Sequence, residues 1–311
     1  MIRKFFLLNL ILILLAGMNL FAQDEPDSTK WKWDDEFKSD WGNSEWFGWN
    51  FHGNPFIEVN YGLGMPKLDK LSSKFADAGM AELKLGYATQ EQYYSENVIE
   101  FHDKFSFVSK FSADLKSASP EPGEMKSDLW RFGFANRSGY GYKLDDISIL
   151  PYYGSGFVWS KLDMIDYPAN TYLIASPPIT IDDARTDTDK LNRFHDAFRF
   201  GTLSEGGIRF EFGSFASVNF GYETAVIFPR YLFWKHMGNL IIEESAMGVL
   251  NHFIDEVLDS SPYAAPIVTV LLKNGLSYAF YSLKKKNMNW PFSTESPLTY
   301  ETVKLGLTFT F

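Results

Sequence analysis

Alternation of apolar with polar or small side chains at every second residue constrains the fold of this chain most. It recurs in eight segments, which cover residues 56–64, 80–88, 98–111, 129–140, 147–159, 208–213, 218–227 and 300–311. In the fourth segment, for example, Trp130, Phe132 and Phe134 share one face. A tilted β-strand of about 9 to 11 residues spans a bilayer with such a pattern. The sequence therefore predicts an all-β, transmembrane, antiparallel β-barrel of eight strands over residues 55–311.

The connections between these segments alternate in length. Long ones cover residues 65–79, 112–128, 160–207 and 228–299, and short ones cover 89–97, 143–146 and 214–217. This alternation is typical of a barrel with short periplasmic turns and long extracellular loops. A ten-strand alternative stays open, in which residues 193–202 and 276–283 form further strands. The strand count decides on which side of the membrane the longest connection lies.

The longest connection carries a helical pattern just before the last strand. From residue 232 to 258, apolar side chains such as Phe233, Met237 and Leu240 recur at spacings of three and four. A second apolar stretch, residues 262–274, ends before Gly275, a residue type that is common just beyond a helix C-terminus. We expect a helical insertion over about residues 229–275. It either packs on itself and on the barrel wall, or forms an in-plane membrane helix or a plug.

Residues 1–23 have the pattern of a secretory signal peptide. Arg3 and Lys4 precede an apolar run over residues 5–15, and Phe21-Ala22-Gln23 comes before the first acidic residues. The rival interpretation is a membrane anchor helix, for which the apolar run is short. The sequence contains no cysteine, so it offers neither a lipoprotein attachment site nor a disulfide.

Residues 24–54 are rich in tryptophan and acidic side chains. The tryptophans of this segment are Trp31, Trp33, Trp41, Trp46 and Trp49. Tryptophan favours membrane interfaces, and it is also enriched in binding hot spots. The segment is therefore expected to anchor or dock beneath the barrel, or to bind a partner protein.

Charge limits the classes of partner. The net charge of −10 becomes −12 once Arg3 and Lys4 are removed with the signal peptide. Such an acidic chain is a poor match for nucleic acid or for anionic lipid headgroups.

The polar faces of the strands predict a lumen in which acids and bases nearly balance. The residues expected to point inward are Glu58, Glu82, Lys84, Glu100, His102, Lys104, Arg131, Arg137, Arg209, Glu211, Glu223 and Lys304. The interior of an eight-strand barrel is just wide enough for side chains to fill it. Buried charges must then pair with one another to offset desolvation. We expect a closed, salt-bridged lumen, which disfavours a general porin.

Candidates for catalysis and for metal binding are weak. His102, flanked by Glu100 and Lys104, could act as a general base, but no serine lies in an identifiable nucleophile motif. The acidic loop that holds Asp182, Asp183, Asp187 and Asp189 offers oxygen ligands for calcium. It lacks the glycine and terminal glutamate of an EF-hand loop, so a solvated acidic loop is the preferred interpretation. No cofactor is predicted.

The C-terminal strand carries a family resemblance. Lys304, Gly306, Phe309 and Phe311 resemble the signal by which Gram-negative cells recognise outer-membrane β-barrels. Together with the signal peptide and the alternating strands, they resemble small OmpA/OmpX-like outer-membrane barrels, and Phe21-Ala22-Gln23 resembles cleavage regions of the Bacteroidota. The resemblance implies a location in the outer membrane and contact with outer-membrane lipid and the barrel assembly machinery.

Members of this class serve in adhesion, envelope anchoring or as accessory subunits. We therefore expect a non-enzymatic barrel that binds or scaffolds an envelope protein partner. Two alternatives stay open: a lipid- or glycan-modifying enzyme that uses His102, and a narrow channel or small-ligand transporter.

Overall fold

Eight antiparallel strands form a closed barrel in the computed structural model, which describes residues 53–95, 97–116, 124–164 and 181–311. The strands are β1 Asn54–Leu68, β2 Ala78–Ser95, β3 Val98–Ser112, β4 Ser127–Leu144, β5 Ile147–Met164, β6 Phe198–Phe212, β7 Ala216–Ile227 and β8 Leu298–Thr310. Each strand pairs with its neighbours in the chain, and β8 closes the barrel on β1. The predicted eight-strand barrel with a helical insertion before the last strand is confirmed.

Within the described residues, three α-helices lie in the long connections. They are α1 Ile181–Leu191 between β5 and β6, and α2 Phe233–Ser260 and α3 Ala265–Lys284 between β7 and β8. A short 3-10 helix, Ala113–Leu115, follows β3, and the hydroxyl of Ser112 caps it by accepting a hydrogen bond from the amide of Asp114. Among the described residues, no helix is both long and apolar enough to cross a membrane.

The ten-strand alternative is wrong. Residues 198–212 form one strand that pairs without interruption with β5 on one side and, from residue 201 on, with β7 on the other. Residues 276–283 lie inside α3 and not in a strand. Tyr278 and Tyr281, three residues apart, both contact the barrel, because side chains at this spacing share one face of a helix. The predicted helix end at Gly275 is wrong for the same reason, since α3 continues to Lys284.

The strands are strongly tilted relative to the barrel axis. Following directly paired residues from Ile57 around all eight strands leads back to β1 at Lys67, ten residues beyond the start. Such a stagger goes with strands that tilt by roughly 35–45° from the barrel axis, and eight strands leave an interior that side chains fill.

The two ends of the barrel differ. At one end, called here the turn end, strands are joined by short turns that use left-handed backbone at Asp145 (φ 46°) and Gly213 (φ 64°). At the other, the loop end, one isolated bridge pairs Phe75 with Met125 and so joins two long connections. A second bridge pairs Leu162, near the end of β5, with His195. The start of β1 and the end of β8 both lie at the turn end.

Candidate functional site

The lumen contains two balanced sets of buried charges. Among the described residues, five carboxylates and five cationic groups project inward and are almost inaccessible to solvent. They are Glu58, Glu82, Asp103, Glu205 and Glu223, and Lys84, Arg131, Arg137, Arg209 and Lys304. Buried charges at this density persist only if each has a partner of opposite sign.

Glu58 on β1 organises the half of the lumen nearer the turn end. One carboxylate oxygen lies 2.8 Å from Nη2 of Arg137, and the other lies 3.0 Å from Nζ of Lys84. Arg137 also donates to Oδ2 of Asp103 at 2.7 Å, and Asp103 in turn pairs with Arg209. Strands that are far apart in sequence are thereby linked across the lumen.

Lys304 on β8 organises the half nearer the loop end. Its Nζ lies 3.1 Å from Glu82, 2.7 Å from Glu223 and 2.8 Å from Glu205. Arg131 approaches Glu223 to 2.6 Å. Because Lys84 also pairs with Glu205 at 3.0 Å, the two halves form one continuous network.

Aromatic rings of β3 are interleaved with these charges. Lys84 lies 4.7 Å from the ring centre of Phe105, and the guanidinium of Arg209 lies 5.4 Å from that of Phe101. Arg131 lies 4.5 Å from the ring centre of Phe111. Rings at these distances attract the cations through their quadrupoles, so on this strand the aromatic face belongs inside.

Three residues expected in the lumen point outward instead. Glu100, His102 and Lys104 lie on the outer face of β3, where the side chain of His102 is 54% exposed and its Nε2 lies 3.1 Å from Glu100. The expectation assumed that aromatic side chains face away from the lumen. On β3 the aromatic rings occupy the lumen as cation partners, so the alternating polar residues are forced outward.

Sequence reasoning also missed inward residues. Asp103 lies in the lumen, and its place on the aromatic face of β3 is the sequence signal that could have found it. Glu205 and Tyr152, whose hydroxyl donates to Glu205 at 2.9 Å, were missed because no partner was visible in the local pattern. Glu211 does line the lumen near the turn end, where it accepts hydrogen bonds from Gln90 and Arg209.

Apolar layers cover both ends of the charged lumen. Toward the loop end the buried cluster includes Phe111, Leu129 and Tyr300, and it continues into Leu191 and Phe194 at the end of α1. Toward the turn end the cluster consists of Ile99, Phe101, Leu150 and Tyr152. The described lumen is therefore a packed core with charges in its middle layer.

The predicted solvated acidic loop is wrong, because residues 182–189 form part of helix α1. Asp187 is buried and accepts a hydrogen bond from the amide of Ser72 at 2.7 Å, which ties α1 to the connection after β1. Asp182 and Asp183 are exposed in the first turn of α1, where acidic side chains favour the helix N-terminus. No group of three potential metal ligands occurs within the described ranges.

The residues of the C-terminal pattern divide between the two faces of β8. Lys304 belongs to the lumen network, and Gly306 faces inward, where a side chain would collide with Asn60. Phe309 and Phe311 face outward and both contact Phe215. The tryptophans Trp31, Trp33, Trp41, Trp46 and Trp49 lie outside the described residues.

The outer wall is apolar over part of its circumference only. On β1 the exposed apolar side chains lie at alternate positions, and they are Ile57, Val59, Tyr61 and Leu63. The same surface continues on β2 and β4 with Leu83, Leu85, Trp130, Phe132 and Phe134. On β4 to β6 a stretch of small and polar outward residues interrupts it. These residues are Asn136, Ser138, Ser155, Ser204 and Gly206, called here the polar wall.

The α2–α3 hairpin lies against this part of the barrel, with α3 in contact with β4, β5, β6 and β7. Just before α3, the carbonyl of Tyr263 accepts a hydrogen bond of 2.6 Å from the hydroxyl of Tyr142, near the turn end of β4. In the middle of α3, Asn274 donates to the carbonyl of Tyr152 at 3.1 Å. A Cβ atom at Gly206 would overlap the amide of Asn274, so the absence of a side chain there allows the close approach.

The far end of α3 is held at the loop end of β7 and β8. Tyr281 donates to Glu301 at 3.2 Å and packs with Val226, Phe228 and Met288. Lys285 also contacts Glu301, at 2.6 Å. The hairpin thus runs from the turn end to the loop end on the outside of the barrel.

The two helices are held together by buried polar and apolar contacts. Glu243 on α2 accepts from Lys284 on α3 at 2.7 Å, and Leu250, Ile254 and Leu258 are buried farther along α2. His236 packs among aromatic rings at the start of α2, 5.2 Å from the ring centre of Phe228.

The side chain of His236 is buried at this position. An open cleft of about 240 Å³ lies beside it, lined by Trp159, Phe200 and Tyr231.

Comparisons with known proteins identify no family. No family model matches the sequence, and no curated protein matches it. Among solved structures, Neisserial surface protein A is 8% identical over 84% of this chain and 100% of that chain, with a TM-score of 0.39. Ail, the attachment invasion locus protein of Yersinia pestis, is 10% identical over 84% of this chain and 99% of that chain, with a TM-score of 0.31. At these TM-scores the strand pairing itself, and not the likeness, defines the fold.

Removing one cation from the lumen should destabilise the barrel strongly. Arg137→Ala leaves Glu58 and Asp103 buried with one partner fewer, which costs about 3–5 kcal/mol of unfolding free energy. Urea unfolding of the protein in lipid vesicles, followed by tryptophan fluorescence, measures the loss. Glu256→Gln, on an exposed site of α2, is the control and should leave stability unchanged. A loss below about 1 kcal/mol for Arg137→Ala would contradict the role of the network.

A bulky side chain at Gly206 should detach the hairpin and leave the barrel folded. In Gly206→Leu the new side chain displaces Asn274, so α3 loses its central contact with the wall. Limited proteolysis should then cut within residues 229–297 at least tenfold faster, while the heat-dependent shift in gel mobility that marks a folded barrel persists. Gly275→Leu is the matched control, because nothing lies within 4 Å of the position of its Cβ. Equal proteolysis of the two variants would refute the contact's importance.

Proposed function

We propose that this protein is a non-enzymatic β-barrel of the outer membrane of a Gram-negative bacterium, and that it binds or scaffolds an envelope protein partner through the α2–α3 hairpin. The observation that carries the proposal is the hairpin's position on the outer wall. The barrel closes without it, since β7 pairs directly with β8 from Ala216 and Phe309 to Ile227 and Leu298. A segment that closure does not require, yet is held on the wall by specific contacts, is a natural site of function.

Support for a membrane location comes from the outer surface. Large apolar side chains are exposed on β1 and on neighbouring strands, as lipid contact requires. In this proposal outer-membrane lipid contacts that surface. The assembly machinery recognises β8 through Lys304, Gly306, Phe309 and Phe311, after residues 1–23 have directed export.

The alternatives gain no specific support. His102 faces away from the lumen, and the charged interior is covered by apolar layers at both ends, so neither catalysis there nor a channel has an observation in its favour.

The proposed function needs no cofactor. Residues 24–54, with their five tryptophans, are proposed as a second binding element, and a Bacteroidota origin remains an inference from residues 21–23.

Labelling of single cysteines tests location and orientation together. The chain has no cysteine, so each of two variants contains a single cysteine. The variants are Asp182→Cys on α1 and Asp145→Cys in a turn. In intact cells a membrane-impermeable maleimide should label Asp182→Cys and should reach Asp145→Cys only after the outer membrane is permeabilised. The reverse pattern, or equal labelling of both, would contradict the proposed placement.

Co-purification tests the hairpin. Replacement of residues 229–296 by a short Gly/Ser linker should remove at least one protein that co-purifies in fixed proportion from outer membranes. Asp182→Asn with Asp183→Asn, on an exposed part of α1, is the control. A separate deletion of residues 24–52 tests the tryptophan-rich segment. If the hairpin replacement leaves the set of co-purifying proteins unchanged, the hairpin is not the binding element.

A further inference from the structure

We infer that the outward face of α2 is a docking surface for a basic amphipathic helix of the partner protein, an inference that rests on the proposed function. The face consists of residues that are exposed at spacings of three and four, and it lies opposite the side that packs on α3. Its members are Ile241, Glu244, Ser245, Gly248, Val249, His252, Phe253 and Glu256.

Shape and polarity favour a helical partner. Val249 and Phe253 are about half exposed, and Ile241, about two to three turns earlier, is 59% exposed, so the face has apolar anchors. Gly248 has open space around the position of a Cβ atom and leaves a shallow depression between them. Apolar anchors at such spacings match the groove-and-anchor mode in which amphipathic helices bind.

The charge of α2 indicates the sign of the charge on the partner helix. The helix contains a single lysine, Lys235, against five acidic residues, which are Glu243, Glu244, Asp255, Glu256 and Asp259. Glu243 pairs with Lys284. Glu244, Asp255, Glu256 and Asp259 are exposed, and Glu256 lies 3.5 Å from His252 of the same helix. Complementary charge on a partner gives specificity and speeds association. A basic helix satisfies this condition.

The same charge argues against two other occupants. A second copy of the chain would bring an equally acidic α2 to the contact, and like charges across an interface oppose association. Anionic lipid headgroups attract basic helices and not acidic ones. Both remain as outcomes that the experiment distinguishes.

The position of the hairpin places the partner beside the barrel. Contacts of Tyr142 near the turn end and of Glu301 near the loop end show that the hairpin spans the height of the wall. At bilayer depth carboxylates are costly in contact with lipid. A protein helix that presents lysine or arginine there lowers that cost.

A defined peptide tests the inference on the full-length protein in lipid nanodiscs. The probe is a fluorescent 18-residue helical peptide with leucines on one face and four lysines on the other, and its counterpart carries four glutamates instead. Fluorescence anisotropy should show at least tenfold tighter binding of the lysine peptide. Glu244→Lys with Glu256→Lys should weaken that binding at least tenfold, which corresponds to about 1.4 kcal/mol. Binding should also weaken as salt rises.

Matched variants and the salt series keep the result interpretable. Asp182→Lys with Asp183→Lys reverses two exposed charges on α1 and should leave binding unchanged. Glu244→Gln with Glu256→Gln, a milder change, should give an intermediate loss, and the gel mobility shift verifies that each variant is folded. Equal affinity for both peptides, insensitivity to the α2 charges, or self-association that these charges do not oppose would overturn the inference. If hairpin replacement still removes co-purifying proteins in that case, the proposed function stands and only the basic partner is excluded.

Discussion

The pairing of ten buried charges inside a closed barrel is the constraint on which the rest of the structure depends. Eight strands leave an interior that side chains fill, and the charges there are removed from solvent. Each carboxylate and each cation then requires the others in fixed positions, because an unpaired charge in such a site is strongly destabilising. Glu58 and Lys304, on the two strands that close the barrel, hold the two halves of the network. The network therefore favours the strand register that the closed barrel needs.

This constraint also explains the aromatic rings in the lumen. The rings of Phe101, Phe105 and Phe111 lie against guanidinium or ammonium groups and fill the space between them. Packing and charge compensation are thus provided by the same side chains. With apolar layers at both ends, the barrel is a rigid platform, and variation that serves function is left to its outer surface and its connections.

The outer wall and the hairpin are matched to each other. Where the apolar surface is interrupted by Asn136, Ser155 and Ser204, the hairpin lies alongside, and Gly206 leaves room for Asn274. Small polar residues are poor lipid contacts, and the absence of a side chain at Gly206 makes room for the hydrogen bond from Asn274 to the carbonyl of Tyr152. The acidic outward side of α2 is the exposed part of the hairpin.

Local sequence predicted eight strands with ten as the alternative, the approximate limits of most of them and the presence of two helices, because periods of two and of about 3.6 residues are properties of the chain itself. It placed residues 198–207 of β6 in a connection. It also identified Glu58, Arg137 and Lys304 as inward residues, since their strands have one clearly polar face. Only the tertiary structure decided which face of β3 is inside, where Asp103 replaces His102 in the lumen, and that α3 runs past Gly275 along the wall. Alternation shows that the two faces of a strand differ, but it does not show which face contacts lipid. The orientation of a strand depends on cations and helices from distant parts of the chain.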